Sequence, residues 1–166
     1  MIDIYNTALV SLGYVLSPDK TKVLMLYHNA NSSDISYGKF NGYSDFVRNN
    51  ESPYESFVRV VAEQTGLIVR KAEFRGDVLW PNFRDQGKSF FSQIFITTDY
   101  EGIPKQYTDK GKNQWWTISQ VLRGDVPIWD GDKHFLPLVF DNKKEPFHGY
   151  MPYERGVPKG WFFKRG

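Results

Sequence analysis

Residues 60, 63 and 64 are the part of the sequence in which side-chain type and spacing bear most directly on chemistry. On a helix these positions lie within one arc, because neighbours three and four residues apart stack on the same face. Three carboxylates there would form an anionic cup for hard divalent cations. This chain offers Glu63, the neutral amide of Gln64 and the isopropyl group of Val60. Glu63 is therefore a candidate metal ligand or general base, and its alternative role is an i,i+4 ion pair with Arg59.

The composition excludes several other chemistries. The 166 residues contain no cysteine, which rules out disulfides, thiolate zinc sites and cysteine nucleophiles. Aromatic residues are 17% of the chain, enough apolar surface for a folded core, and the net charge of +2 reflects no basic tract of the kind that binds nucleic acid. No apolar run is long enough to cross a bilayer. We expect one domain over residues 1–166, in the cytoplasm, with no membrane and no nucleic-acid polymer as partner.

Strand-like segments dominate the chain. The apolar runs at 7–16 and 22–28 are joined by a Pro/Asp turn, so we expect a β-hairpin. Residues 37–43 alternate aromatic and small side chains, which suits a short strand or bend near a cleft. The other predicted strands, which are separated by polar segments such as 102–113, are 67–69, 72–79, 89–98, 114–118 and two aromatic-rich strands within 147–163.

Two helices are expected among these strands. Ser52 and Glu55 form an S-x-x-E capping box, which predicts a helix over residues 53–65. Gly66 is its expected C-terminal stop. A second helix is expected at about 133–140. Strands that flank two helices without strict alternation favour an α+β or three-layer fold around a mixed sheet.

The segment GKFNGYSDFVRNNESPYESFVRVVAEQTGL, residues 38–67, resembles the signature of the Nudix hydrolases. That signature reads G-x5-E-x7-R-E-U-x-E-E-x-G-U, where U is a bulky aliphatic residue. The departures in this chain are Asp45 for the first glycine, and Val60 and Gln64 for two glutamates. The spacing is unbroken, and the matching fixed positions are Glu51, Arg59, Val61, Glu63, Gly66 and Leu67.

The resemblance implies the Nudix fold, an α/β/α sandwich with a mixed β-sheet between helices. It also implies Mg²⁺-dependent hydrolysis of a pyrophosphate bond in a nucleoside triphosphate or a related nucleoside diphosphate-X compound. Carried onto this chain, the catalytic positions are Glu51, Arg59 and Glu63, and the metal ligands are Glu63, Gln64 and Asp45. Asp45 either restores some metal affinity or is a tolerated loop substitution. Because two of three helix carboxylates are replaced, we expect an impaired metal site.

Whether the chain is an enzyme stays open at this point. A pyrophosphohydrolase with a weakened metal site is one hypothesis. A catalytically inactive nucleotide-binding or sensor protein on the same fold is the alternative, and a protein-interaction domain with a filled pocket is a third. In each of the first two the partner is a small nucleotide, whose identity the sequence leaves open. The chain could be a monomer or a homodimer.

Further segments resemble 8-oxo-dGTP diphosphatases, the MutT-like members of the family. They are WDGD at 129–132, FLP at 135–137 and FHGY at 147–150. This resemblance places Asn41, Trp129 and Asp132 in a base pocket, where an indole stacks on a purine and polar groups bond its edges. Gly131 replaces an acidic residue found in some relatives. The alternative is a packed tryptophan beside a helix whose N-cap is Asp132.

Two lysines are candidate contacts to nucleotide phosphates. Lys39 lies where the family often has a basic residue. Lys110, with Asp109 beside it, lies near the place of a further acidic ligand. If Lys110 points inward, its ammonium group could occupy the space of a metal and neutralise phosphate directly. The alternative for each lysine is a solvated position.

Overall fold

One mixed sheet of nine strands forms the centre of the molecule. The computed structural model describes residues 6–84 and 87–166. In chain order the elements are β1 (Thr7–Leu16), β2 (Lys22–His28), β3 (Phe40–Asn41), β4 (Tyr43–Phe46), α1 (Pro53–Thr65), β5 (Ile68–Arg84), β6 (Lys88–Glu101), β7 (Gly111–Thr117), α2 (Ile118–Leu122), α3 (Asp132–Phe140), β8 (Phe147–Tyr150), β9 (Tyr153–Glu154), β10 (Val157–Pro158) and β11 (Phe162–Arg165).

The sheet has the order β11-β8-β5-β6-β1-β2-β3, with β4 also paired to β1 and β7 also paired to β2. The β1/β6 and β5/β8 pairs are parallel and the other pairs are antiparallel. Strands β9 and β10 form a separate two-stranded ribbon. Among the described residues, no helix is both long and apolar enough to span a membrane.

Helices cover both faces of this sheet. Successive strand residues point to opposite faces, so neighbouring residues of β1 and β2 enter different clusters. On one face, Val15 and Leu24 of the sheet pack in a cluster with Phe57 and Val61 of α1. On the other face, Leu16 and Val23 of the sheet share a cluster with residues of α2 and α3, which are Val121, Phe135 and Val139. The predicted α/β/α sandwich with a mixed sheet is therefore confirmed.

Helix α1 begins and ends where its sequence predicts. The Ser52 hydroxyl accepts a hydrogen bond from the Glu55 N–H at 3.1 Å, and the Glu55 carboxylate accepts one from the Ser52 N–H at 3.0 Å. At the C-terminus, Gly66 takes the left-handed conformation with φ 78°. The ring of Phe57 packs α1 against the sheet at Gly13. A Cβ atom at position 13 would lie 2.2 Å from this ring, so only glycine leaves room for it.

Several predicted boundaries were wrong. The strands expected at 67–69 and 72–79 are one long strand, β5, whose bulges break the alternation that separated them. Strand β7 begins at Gly111, inside the expected loop, and ends in a capping box that starts the unpredicted α2. The β1/β2 hairpin pairs at only two positions, because β4 pairs with the preceding part of the same edge of β1 and β3 pairs with the following part of the same edge of β2.

A buried arginine fixes α3 against the sheet. Arg75, on β5, is 3% exposed. Its guanidinium donates to the carbonyl oxygens of Val139, Lys143 and Asp141 at 2.9, 2.8 and 3.0 Å, and to the Asp141 carboxylate at 2.9 Å. These groups belong to the C-terminal end of a helix, where carbonyls lack partners within the helix. Arg75 therefore sets the position of α3, whose first residue is Asp132.

We expect Arg75→Met to lower the free energy of unfolding by about 3 kcal/mol or more, since it leaves several buried acceptors without donors. Arg70→Met is the matched control, because Arg70 lies on the same strand with an exposed side chain that pairs with the exposed Asp99 and Glu101. Urea denaturation measures both. Equal, small losses in the two variants would contradict the role given to Arg75.

Candidate functional site

The carboxylates expected near α1 do come together, but around an arginine. The Arg59 guanidinium donates to both oxygens of Glu51 at 3.0 and 2.8 Å, to Asp45 at 3.1 Å and to Glu63 at 2.7 Å. Glu51 also accepts from the Arg48 N–H at 2.9 Å, which closes the loop before the helix. These bonds tie strand β4, which carries Asp45, and the loop that carries Glu51 to the exposed side of α1.

The protonation states follow from the same bonds. Hydrogen bonds from the Arg59 side chain and the Arg48 N–H lower the pKa of Glu51 to about 2. The pKa of Arg59 is raised further above its usual range, chiefly by hydrogen bonds to Glu51. Glu51 and Arg59 are therefore both ionised at neutral pH. Each of the three carboxylates around Arg59 already faces a positive charge.

The other two positions of the expected cup carry no carboxylate, and both are buried. Val60 is 3% exposed and packs in the cluster under α1. Gln64 is 9% exposed, and its Oε1 atom has no hydrogen-bond partner within the described part of the chain. Across residues 6–84 and 87–166, no group of three or more metal-binding side chains is arranged to hold an ion. With one paired carboxylate and one neutral amide on α1, the residues present do not fit a magnesium site.

A separate pocket lies on the other face of the sheet, beside α3. It has a volume of about 160 Å³, and a protein cavity of about 150 Å³ is large enough to admit benzene. Asn41, Trp129 and Asp132, the three residues expected to read a base, all line it. The sequence analysis did not find the rest of the lining, which includes Ser36, Ser44, Trp80, Phe83, Arg84, Phe90 and Tyr153.

Asp132 is the buried acid of this pocket. It is 9% exposed, and burial raises the pKa of its carboxyl group to about 7. Below that pH the neutral group both donates and accepts hydrogen bonds, and above it the group only accepts. The alternative role of Asp132 as an N-cap is wrong, since α3 includes Asp132 and its N-cap, Gly131, makes no side-chain capping bond.

Gly131 stands where some relatives have a second acidic residue. A Cβ at this position would lie 2.6 Å from the hydroxyl of Tyr153 and 2.8 Å from the sulfur of Met151. The space next to Asp132 is therefore filled by other side chains. Burial and the nearby carboxyl group of Asp132 together raise the pKa of Tyr153, so its hydroxyl stays protonated.

Two neighbouring residues, Ser36 and Lys39, hold Trp129 in place. Its Nε1–H donates to the hydroxyl of Ser36 at 3.2 Å, and the ammonium of Lys39 lies 4.7 Å from the centre of its ring. Lys39, expected to contact phosphate, thus makes a cation–π contact with Trp129. The Asn41 side-chain oxygen accepts from the Gly42 N–H at 2.8 Å, which leaves its amide N–H groups to act as donors.

Lys110 and the histidines lie away from this pocket. Lys110 is exposed, and its charge adds only the smallest contribution to the lowered pKa of Asp34, which hydrogen bonds from the Ser36 N–H and from His28 lower more. Asp34 also bonds Nδ1 of His28 at 2.8 Å, and Nδ1 of His148 bonds Asp77 at 2.7 Å. The latter pair follows from the β5/β8 register, which the sequence does not reveal.

The comparisons with known proteins define the class of fold. No family model matches the chain. The oxidized purine nucleoside triphosphate hydrolase of Danio rerio is 24% identical over 150 residues, which cover 90% of this chain and 89% of that protein. The MutT protein of Bacillus halodurans superposes with a TM-score of 0.79 at 23% identity, over 95% of this chain and 97% of that one.

A third relative is a structure with a bound ligand. The NUDIX domain of NrtR from Shewanella oneidensis, in complex with ADP ribose, superposes with a TM-score of 0.63 at 18% identity, over 80% of this chain and 85% of that one. The chain therefore has the fold of MutT-like Nudix hydrolases. The resemblance expected from residues 38–67 is confirmed in the fold.

The raised pKa of Asp132 predicts a pH-dependent stability. A carboxyl group whose pKa rises from 3.8 to about 7 on folding stabilises the fold fully below pH 4, and this contribution is lost as the pH rises to 7. The loss amounts to about 4 kcal/mol at pH 7. Between pH 4 and 7, unfolding free energies should therefore fall for the natural chain relative to Asp132→Asn. A constant difference between the two proteins over that range would show that Asp132 titrates normally.

Proposed function

We propose that this protein binds a purine nucleotide in the pocket of Asn41, Trp129 and Asp132, and that it hydrolyses the pyrophosphate bond of that nucleotide slowly. The observation that supports this most directly is the buried, titratable Asp132 beside an indole and an amide. A purine presents a flat ring face and an edge of mixed donors and acceptors. The pocket offers a partner for each of these features.

Two relatives support a nucleotide as the ligand. One is named for acting on oxidized purine nucleoside triphosphates, and another was determined with ADP ribose. Both of the compounds in these names contain a nucleoside joined to phosphate. We propose the same ligand class for this chain, and we propose that residues 1–166 act as one domain, because both core clusters pack on the same sheet.

Slow hydrolysis follows from the composition of α1. A hard cation needs charged oxygen ligands, and positions 60, 63 and 64 of this helix offer only Glu63, which already pairs with Arg59. Losing metal-assisted activation of water removes several kcal/mol of transition-state stabilisation, or on the order of a thousandfold in rate. In this proposal Arg59, Glu51 and Asp45 hold the segment before the helix, and Glu63 is the carboxylate at these three positions that can take part in chemistry.

A second candidate function is nucleotide binding without hydrolysis, as in a sensor. One specific observation favours it: every carboxylate of the α1 cluster is bonded to Arg59. A nucleotide panel with Mg²⁺ separates the two candidates. Turnover that Glu63→Gln abolishes supports the enzyme, and saturable binding without turnover supports the sensor.

Base recognition is tested by two variants and their control. We expect Trp129→Ala to weaken purine nucleotide binding by about 10- to 100-fold, since stacking on an aromatic side chain contributes about 1–3 kcal/mol. Asp132→Asn should change which purines bind best. Asp130→Asn should do neither, because the neighbouring Asp130 side chain is 84% exposed. Isothermal titration calorimetry measures all three. Unchanged nucleotide affinity in Trp129→Ala would contradict the proposal that this pocket binds the base.

Restoring two carboxylates tests the account of α1. We expect Val60→Glu with Gln64→Glu to lower the melting temperature in EDTA, because position 60 is buried. Mg²⁺ should then recover the stability and raise turnover. Val60→Gln, with Gln64 retained, is the uncharged control and should respond to Mg²⁺ no more than the natural chain. A double variant that folds but gains neither stability nor turnover from Mg²⁺ would contradict the alignment of residues 60 and 64.

A further inference from the structure

The segment between β2 and β3, residues 29–39, forms one wall of the base pocket. Ile35 and Ser36 of this segment line the pocket. None of its residues belongs to a helix or a strand. Fixing such a segment costs conformational entropy, so it keeps one position only through bonds to the rest of the protein. The bonds that hold this segment therefore also hold the wall of the pocket.

Two residues of the segment hold Trp129, the residue proposed to stack on the base. The indole Nε1–H donates to the hydroxyl of Ser36 at 3.2 Å, and the ammonium of Lys39 lies 4.7 Å from the centre of the indole ring. The Lys39 N–H also donates to the Ser36 carbonyl oxygen at 2.9 Å, which joins the two residues to each other. The orientation of the indole therefore depends on the position of the segment.

The side chain of Asp34 links this segment to the sheet. Its Oδ1 atom accepts from the Ser36 N–H at 2.9 Å, and its Oδ2 atom lies 2.8 Å from Nδ1 of His28. Burial opposes ionisation of Asp34, but hydrogen bonds from Ser36 and His28 lower the pKa of its carboxyl group below the usual value. The group is therefore ionised and only accepts hydrogen bonds. Nδ1 of His28, the last residue of β2, is then the donor.

The surroundings of His28 show that its ring depends on this link. Nε2 of the ring is buried and has no hydrogen-bond partner within residues 6–84 and 87–166. Buried polar groups in proteins are usually hydrogen-bonded, and the bond to Asp34 supplies a partner for the imidazole. Asp34 itself is not among the described residues that line the base pocket. It therefore acts on a ligand there through Ser36 and the indole that Ser36 holds.

We propose that Asp34 is a positioning residue for the base: its carboxylate bridges His28 and Ser36, and this bridge holds the Trp129 indole in the orientation on which a purine stacks. The inference rests on the proposed function, because it needs the base beside Trp129. An indole that turned freely would lose conformational entropy when the base stacked on it, and one that is already held does not. The bridge therefore contributes to affinity without touching the ligand.

Calorimetry in EDTA with GMP, AMP, GTP and ATP tests this role in a double-mutant cycle. For the nucleotide that binds most tightly, we expect Asp34→Ala to weaken binding by about tenfold. In the Trp129→Ala background the same change should weaken binding no further, because the residue that Asp34 positions is absent. A loss of equal size in both backgrounds would show a merely structural effect and would overturn the proposal.

A spectroscopic measurement reports on the indole directly, without a ligand. In a ¹H–¹⁵N spectrum the Nε1–H signal of Trp129, identified by its loss in Trp129→Ala, should shift in Asp34→Ala. Asp19→Ala is the matched control for both measurements and should change neither the affinity nor this signal. The Asp19 carboxylate also accepts hydrogen bonds from nearby residues, Ser17 and Thr21, but it lies in the turn between β1 and β2.

A second variant breaks the bridge from its other end. His28→Phe removes the donor to Asp34 and keeps an aromatic ring, so it should cause the same Trp129-dependent loss, including where Asp34→Ala does not fold. Unchanged affinity and an unchanged indole signal in these variants would overturn the role of Asp34 and leave the base pocket standing. Failure of all four nucleotides to bind the folded natural chain would overturn the base pocket and this role together.

Discussion

The hydrogen bonds of Arg59 to Glu51, Asp45 and Glu63 are the interaction on which the account of α1 depends. They hold the loop before α1 against the helix, so the loop–helix–loop keeps its shape. They also neutralise part of the negative charge that a cation would need. We infer that the same contacts keep the shape of the loop–helix–loop and compete with a cation for these carboxylates. Position 45 shows this most clearly, because its carboxylate adds to the arginine network.

The proposed base pocket does not depend on that network. It lies on the opposite face of the sheet, where Asp132 belongs to α3 and Trp129 donates to Ser36. Arg75 fixes α3 from the sheet side. Under the proposed function, the replaced carboxylates of α1 therefore leave this pocket unchanged, and the protein binds a nucleotide that it hydrolyses slowly.

Local signals in the sequence predicted the parts of the fold that local physics determines. The capping box at Ser52 and the left-handed Gly66 fix both ends of α1, and both can be read from residue types. The continuous strand β5 could not be predicted, because its bulges interrupt the alternation of apolar residues. Asn41, Trp129 and Asp132 were found through resemblance to known relatives. Tyr153 and Arg84 were missed, since they reach the pocket through strand register and through the β5–β6 hairpin, which no spacing along the chain reveals.

We infer that α1 keeps the shape of a cation site without its affinity. The decisive experiment is a titration of the natural chain with Mn²⁺ in the presence of a bound purine nucleotide, followed by the electron paramagnetic resonance signal of free Mn²⁺. We expect no more Mn²⁺ binding than the nucleotide alone produces. Saturable binding of two ions by the protein, lost in Glu63→Gln, would contradict it.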